Sequence, residues 1–204
     1  MHVGNARTAL LTWLAVRRAA GTVVVRVEDL DRARVVAGAE QRLLDELRWL
    51  GLDWDEGPDR GGLRGPYRQS ERTQLYDRAT AALLASDHAF ACACSRADVA
   101  RAASAPHESA AGPEPFDSLP YPGTCRVLAP REAERRAAAL GRRPAVRLRG
   151  GDGRFPFVDL VRGEVELGGV DDFVLRRADG TAAYQLAVVV DDDAMAITDV
   201  VRGD

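Results

Sequence analysis

The sequence is short of the features that would carry a chain into or across a membrane. No apolar run reaches the roughly 20 residues that a bilayer-spanning helix needs. Met1 to Asn5 shows no basic leader followed by an apolar stretch, so no secretory signal is expected and a cytoplasmic address follows as the default. Cysteine is scarce, with three residues and an odd count, and in a reducing compartment that points to metal before disulfide. Histidine is equally scarce, and neither His88 nor His107 has a nearby Ser or Cys partner that would suggest a hydrolase triad. Charge of one sign is lacking as well. The net charge of −3 advertises no broad polyanion-binding face, although a local basic patch would be averaged away. Internal repeats and coiled-coil heptads are absent.

What is present is ordinary for a globular chain: 204 residues, 46% hydrophobic and 29% charged, long enough to bury a core without disulfides. Ala6 to Ala20 reads as a helix whose apolar face is Leu10, Leu11, Leu14 and Val16, with Gly21 as its stop. The β-branched run Thr22 to Val27 reads as a buried strand. Gly38 to Leu50 is a helix with Leu43, Leu44, Leu47 and Leu50 on one stripe, stopped by Gly51. Asp55 to Pro66 is a Gly- and Pro-rich loop, and Ser70 could cap a helix running through Leu84.

The texture then changes. Phe90 to Cys94 reads as a short strand, Ser95 with Asp98 as a capping box, and Ala103 to Gly123 as a Pro-rich loop. A helix is expected over Glu132 to Leu140. Strands follow at Ala145 to Leu148, Phe155 to Val161, Phe173 to Arg176, Tyr184 to Val190 and Ala196 to Val201, with a hairpin turn at Asp179-Gly180. This order predicts a parallel α/β sheet over residues 1–89, an insertion over 90–143, and a β-rich return to the sheet over 144–204.

Four constellations could carry chemistry. His2-Val3-Gly4-Asn5 precedes the first helix, where glycine admits close backbone approach and a helix N-terminus favours phosphate. The same residues fit a plain helix start. Arg26-Val27-Glu28-Asp29-Leu30-Asp31-Arg32 ends the first expected strand, where open α/β sheets bind ligands, and a carboxylate there could hold an ammonium group. A charged loop with surface ion pairs is the alternative. Cys92, Cys94, Tyr121 and Cys125 could form a tetrahedral zinc site, or the cysteines could be small buried hydrophobes. Tyr184 opens a run ending in Asp191-Asp192, and Arg202 follows the next run, where a guanidinium could clamp a substrate carboxylate. A core strand with polar ends is the plainer account of both.

Taken together and in order, these pieces resemble the catalytic domain of glutamyl-tRNA synthetases, over nearly the whole chain. His2-Val3-Gly4-Asn5-Ala6-Arg7-Thr8 resembles the family's ATP-binding HIGH signature, and Arg26 to Asp31 its R-x-E-D-x-D segment. Gly51-Leu52-Asp53-Trp54-Asp55-Glu56-Gly57-Pro58 and Tyr67-Arg68-Gln69-Ser70-Glu71-Arg72 are similar to family stretches too. Tyr184-Gln185-Leu186-Ala187 tilts the resemblance toward the family's short branch, which acts on tRNA(Asp).

The resemblance implies a Rossmann-like class I aminoacyl-tRNA synthetase catalytic domain with a zinc-binding, β-containing insertion. It implies catalytic and ATP-binding roles for His2, Gly4 and Asn5, glutamate binding by Glu28, Tyr184 and Arg202, and one structural Zn2+ on Cys92, Cys94, Tyr121 and Cys125. ATP would enter with Mg2+, and L-glutamate would pass through an adenylate to queuosine in the anticodon loop of tRNA(Asp). Charging of tRNA(Glu) by an ordinary synthetase, or a non-catalytic zinc-stabilised binding module, are the alternatives. A monomer is expected. The family pattern also has an upstream strand carrying R-F-A-P-S-P-T-G and a downstream KMSKS-type lysine loop. Neither is found, so both ends are expected to be shortened and the chain to be poorly active by itself.

Overall fold

The computed structural model of the chain describes residues 1–103 and 120–201. Arg202, His107 and most of the expected Pro-rich loop lie outside the described residues. The fold is mixed α/β. Its elements run α1 (Val3–Arg18), α2 (Ala39–Trp49), α3 (Thr73–Ala85), β1 (Ala89–Cys92), α4 (Arg96–Ala103), α5 (Pro130–Ala139), β2 (Ala145–Leu148), β3 (Gly151–Asp159), β4 (Gly163–Val170), β5 (Val174–Arg176) and α6 (Tyr184–Ala194). They fall into two compact units, one of Met1–Tyr76 with Ala187–Asp204 and one of Asp77–Leu186.

In the first unit, α1 starts on His2, whose Nδ1 accepts from the Gly4 N–H at 3.2 Å and so satisfies one of the helix's orphan donors. Leu10, Leu11 and Leu14 form the expected apolar face but stay 44–49% exposed. The helix ends with Ala20 at φ 52 in the left-handed position, and Gly21, one residue on, donates to the Val16 carbonyl. On α2 the expected stripe buries Leu44, while Leu43 and Leu50 remain partly open. Gly51, at φ 78, stops this helix as expected.

The run Thr22 to Val27 differs from the expected strand. It is extended and forms two isolated parallel bridges, Val24 with Glu56 and Val27 with Arg68, rather than a continuous ladder. Its partners are short: Val25 donates to the Glu56 carbonyl at 2.9 Å and Val27 to the Tyr67 carbonyl at 2.8 Å, before each partner segment turns away.

In the second unit, β1, β2 and β5 form an antiparallel sheet in that order. Its core gathers Phe90, Cys92, Val99, Tyr121, Cys125 and Ala137. The Ser95–Asp98 capping box is present, with Asp98 Oδ2 accepting from the Ser95 N–H at 2.7 Å and Ser95 Oγ accepting from the Asp98 N–H at 3.1 Å. Gly180, at φ 93, supplies the expected turn after β5.

Among the described residues, the strands β3 and β4 pair only with each other, in a ribbon. The first covers most of the expected Phe155 to Val161 strand, shifted towards the N-terminus. The second was not expected, although Glu164-Val165-Glu166-Leu167 alternates at the strand period.

The largest departure is α6. The run Tyr184 to Val190, expected as a strand because it is rich in valine, is helical. Ala187, Asp191 and Met195 are buried at spacings of four, so a helix puts all three on one face. That tertiary demand outweighs the valines' preference for strands. The expected strand at Ala196 to Val201 is likewise absent, because Ala196 (φ 53) and Ile197 close α6 in a Schellman motif. Their N–H groups bond to the Asp193 and Asp192 carbonyls at 3.0 and 2.8 Å.

Candidate functional site

The cysteines converge because β1 carries Cys92, the turn after it carries Cys94, and the Tyr121–Cys125 loop folds back over both. Their three Sγ atoms lie within 4.8 Å of one another. The Cys94 and Cys125 sulfurs are 3.6 Å apart, and the Tyr121 hydroxyl lies 3.3 Å from Cys92 Sγ and 3.7 Å from Cys94 Sγ. For bonds of about 2.3 Å, the ligand atoms of a tetrahedral zinc site stand about 3.8 Å apart. The Cys94–Cys125 and Cys94–Tyr121 separations match that spacing and the Cys92–Tyr121 one is shorter, and the thiol-rich set suits zinc.

Burial and close packing act on the ionisation of the quartet. Burial, then the neighbouring Cys92, pushes the Cys94 thiol up to about 12. Burial, then the hydrogen bond with Cys92, also raises the Tyr121 phenol. Burial opposes ionisation of Cys125 too, but the Ala93 backbone, Tyr121 and the other two thiols outweigh it and hold that thiol below its ordinary value. A cation at the centre would relieve the crowding of these groups.

The second candidate region lies in the first unit. Asp29 is tied down, accepting from the Ser70 N–H at 2.8 Å and the Ser70 hydroxyl at 2.6 Å. Arg26 is also held, its Nη1 donating to Asp192 Oδ1 at 2.7 Å. Between them Glu28 stays 43% exposed, and its carboxylate faces Arg26 Nη2 across 3.6 Å. Its oxygens therefore keep capacity for a further donor.

Behind this segment Asp191 is fully buried. It accepts from Arg72 Nε at 2.6 Å, Gln69 Nε2 at 2.8 Å and the Tyr76 hydroxyl at 2.9 Å. Reading the sequence identified neither Arg26 nor Arg72 nor Asp191 as a structural pivot. The available signal was an aspartate embedded in the apolar run before it, which must find partners if buried.

The other anticipated residues within the described chain lie on or beside α1 and α6. His2 caps α1, its Nδ1 accepting from the Gly4 N–H. Gly4 and Asn5 occupy the first turn of that helix. Tyr184 opens α6 and is 49% exposed.

Comparison with known proteins places this architecture. A family model of the class I tRNA synthetases (E and Q), catalytic domain, matches residues 1–204, and the chain belongs to that family. Within it, the chain is 50% identical to a glutamyl-Q tRNA(Asp) synthetase of Symbiobacterium thermophilum, an alignment covering all of this chain and 62% of that protein. It is 47% identical to a glutamate–tRNA ligase of Acidothermus cellulolyticus, covering 39% of that longer protein. The chain thus spans less than two thirds of the length of these relatives. Among solved structures, a glutamate tRNA ligase of Elizabethkingia meningosepticum in complex with its amino acid superposes with a TM-score of 0.79 at 28% identity, over 97% of this chain and 40% of that one.

Proposed function

We propose that the chain is the catalytic portion of a glutamate-activating ligase that acts on tRNA. The carboxylate of L-glutamate attacks the α-phosphorus of Mg-ATP, the bond to pyrophosphate breaks, and glutamyl-adenylate forms. An acceptor hydroxyl of the nucleic acid then attacks the acyl carbon and AMP leaves.

The observation that carries this reading is Glu28, a half-exposed carboxylate in a segment whose neighbours Arg26 and Asp29 are both tied down. Such a group suits the substrate's ammonium. Tyr184 and Arg202 would take the remainder of glutamate, and His2, Gly4 and Asn5 would steady the ATP phosphates at the helix N-terminus. When bound, Zn2+ on Cys92, Cys94, Tyr121 and Cys125 would brace the insertion without entering the reaction.

For the acceptor we favour queuosine in the anticodon loop of tRNA(Asp), on the strength of the 50% identity to a glutamyl-Q tRNA(Asp) synthetase. The 47% identity to a glutamate–tRNA ligase supports tRNA(Glu) as the second reading. Glutamate-dependent ATP–pyrophosphate exchange in the full-length protein tests activation. Transfer of labelled glutamate to tRNA(Asp) with queuosine, the same tRNA without it, and tRNA(Glu) separates the acceptors. Label on tRNA(Glu) alone would reject the favoured acceptor, and absence of exchange would reject the activity.

A further inference from the structure

The Arg26 guanidinium is shared among three carboxylates. Its side chain is 13% exposed, and it lies 2.7 Å from Asp192, 3.6 Å from Asp191 and 3.6 Å from Glu28. Asp191 is already matched by Arg72 at 2.6 Å. Three carboxylates therefore face two guanidiniums, leaving one net negative charge in the cluster.

The geometry decides where that charge resides. Asp192 has the short, hydrogen-bonded contact with Arg26, whereas Glu28 has the longer one and is the more exposed, at 43% against 29%. Asp192 and Glu28 sit on the two terminal nitrogens of one guanidinium, so they are neighbours that differ in being engaged or free. An incoming ammonium would find one available carboxylate where the fold holds two near the surface.

We propose that Arg26 is a positioning residue that withholds Asp192 from the substrate, so that Glu28 alone receives the ammonium group of the amino acid. This rests on the reading of Glu28 given above. Removing Arg26 frees Asp192 as a competing partner, which binds the ammonium in the wrong place. Removing Asp192 instead turns Arg26 fully onto Glu28, where it competes with the ammonium.

The test is glutamate-dependent ATP–pyrophosphate exchange by the full-length protein, with kcat and the KM for glutamate and for ATP measured separately and thermal melting followed alongside. Asp192→Asn should raise the glutamate KM about tenfold with the ATP KM unchanged. Arg26→Gln should lower kcat about tenfold without raising the glutamate KM, because binding persists in an unproductive pose. The double variant restores a single free carboxylate, and its kcat should return to within about threefold of wild type.

A purely structural role for Arg26 would make the double variant as poor as Arg26→Gln or poorer, and that result overturns the proposal. So does an unchanged glutamate KM in Asp192→Asn, which decides the matter if Arg26→Gln fails to fold. Glu28→Gln separates the two levels. If it leaves the glutamate KM unchanged, the assignment of Glu28 falls and the role of Arg26 with it. If it raises that KM while the other variants fail their expectations, only the role of Arg26 falls.

Discussion

Arg72 and Asp191 form an ion pair closed to solvent, with Arg72 Nε donating to Asp191 Oδ1 across 2.6 Å and 2% and 0% of the two side chains exposed. Both ends have further partners. Asp191 also accepts from Gln69 and Tyr76, and Arg72 also donates to the Pro66 carbonyl at 2.9 Å. A buried pair of this kind adds little over a well-packed apolar substitute, but losing one partner strands the other charge. Asp191→Ala should therefore cost about 3–5 kcal/mol in chemical denaturation. The exposed pair Arg154–Glu166 also spans 2.6 Å, but its side chains are 76% and 50% open. Glu166→Ala should cost at most about 1 kcal/mol. Equal losses in the two variants would refute the burial argument.

That pair also marks where reading the sequence stops working. Features written within a few residues were legible: the Ser95–Asp98 capping box, the Gly51 stop and the turn at Gly180 each need only local chemistry. Arg72 and Asp191 are 119 residues apart, and nothing near either one names the other. The same long-range pair helps to explain why Tyr184 to Val190 is helical where its valines predict a strand. A run of valines has no visible period, and the helical spacing shows only once Ala187, Asp191 and Met195 are known to be buried. The Cys-x-Cys spacing and the later Cys125 were visible in the sequence, but the packing of the Tyr121 hydroxyl against two thiols was not. Glu28 stood out through resemblance, whereas the locking of its neighbours by Ser70 and Asp192 needed coordinates.

Cys94 and Cys125, 3.6 Å apart, the second within the second unit's core and the first packed against it, lead to a prediction about metal. Purified protein should contain about one zinc per chain by elemental analysis. Chelation should lower the melting temperature, because the cluster would then bring buried thiols together with no cation to hold them. Cys125→Ser should lose more than about half of the metal, whereas Tyr121→Phe should keep it through the three thiolates, although bound more weakly. Protein that is metal-free as isolated and melts identically with and without chelator would remove zinc from the account.

Gly62 makes a prediction about the loop between α2 and α3. Its φ is +137°, a conformation that L side chains rarely adopt. A Cβ there would stand 2.5 Å from the Tyr67 hydroxyl and 2.6 Å from Glu56 Cγ, and both of those residues are buried. Neither can yield without breaking the hydrogen bond between them. Gly62→Ala should thus destabilise the protein by about 1–3 kcal/mol through strain and overpacking together. Gly61→Ala, with φ +71° but open space around its Cβ, should cost less. If the two alanine variants melt alike, the crowding against Tyr67 and Glu56 contributes nothing measurable.

Glu56 itself should make stability depend on pH. The Tyr67 hydroxyl, opposed by burial and joined by the backbone and guanidinium of Arg64, holds this carboxyl below the ordinary glutamate range. In the unfolded chain those partners are lost and the group returns to about 4.3. A carboxyl whose folded value is the lower one stabilises the fold fully above the unfolded value. That contribution shrinks as pH drops below about 4.3 and is gone once pH has passed through the folded value. Other carboxylates, Asp55 and Asp59 among them, are also lowered, so acid sensitivity alone does not identify Glu56. The comparison with Glu56→Gln does. Its uncharged amide can still bond to Tyr67 but gains nothing from ionisation, so it should melt below wild type at pH 7, with the gap narrowing as the pH falls towards 3. Tyr67→Phe should also melt lower at neutral pH, and the part of its acid sensitivity that comes from Glu56 should be smaller and complete at a higher pH, because the folded value moves up towards the unfolded one when the strongest support for the carboxylate has gone. A gap between wild type and Glu56→Gln that stays constant from pH 7 to pH 3 would show that the glutamate contributes by packing alone.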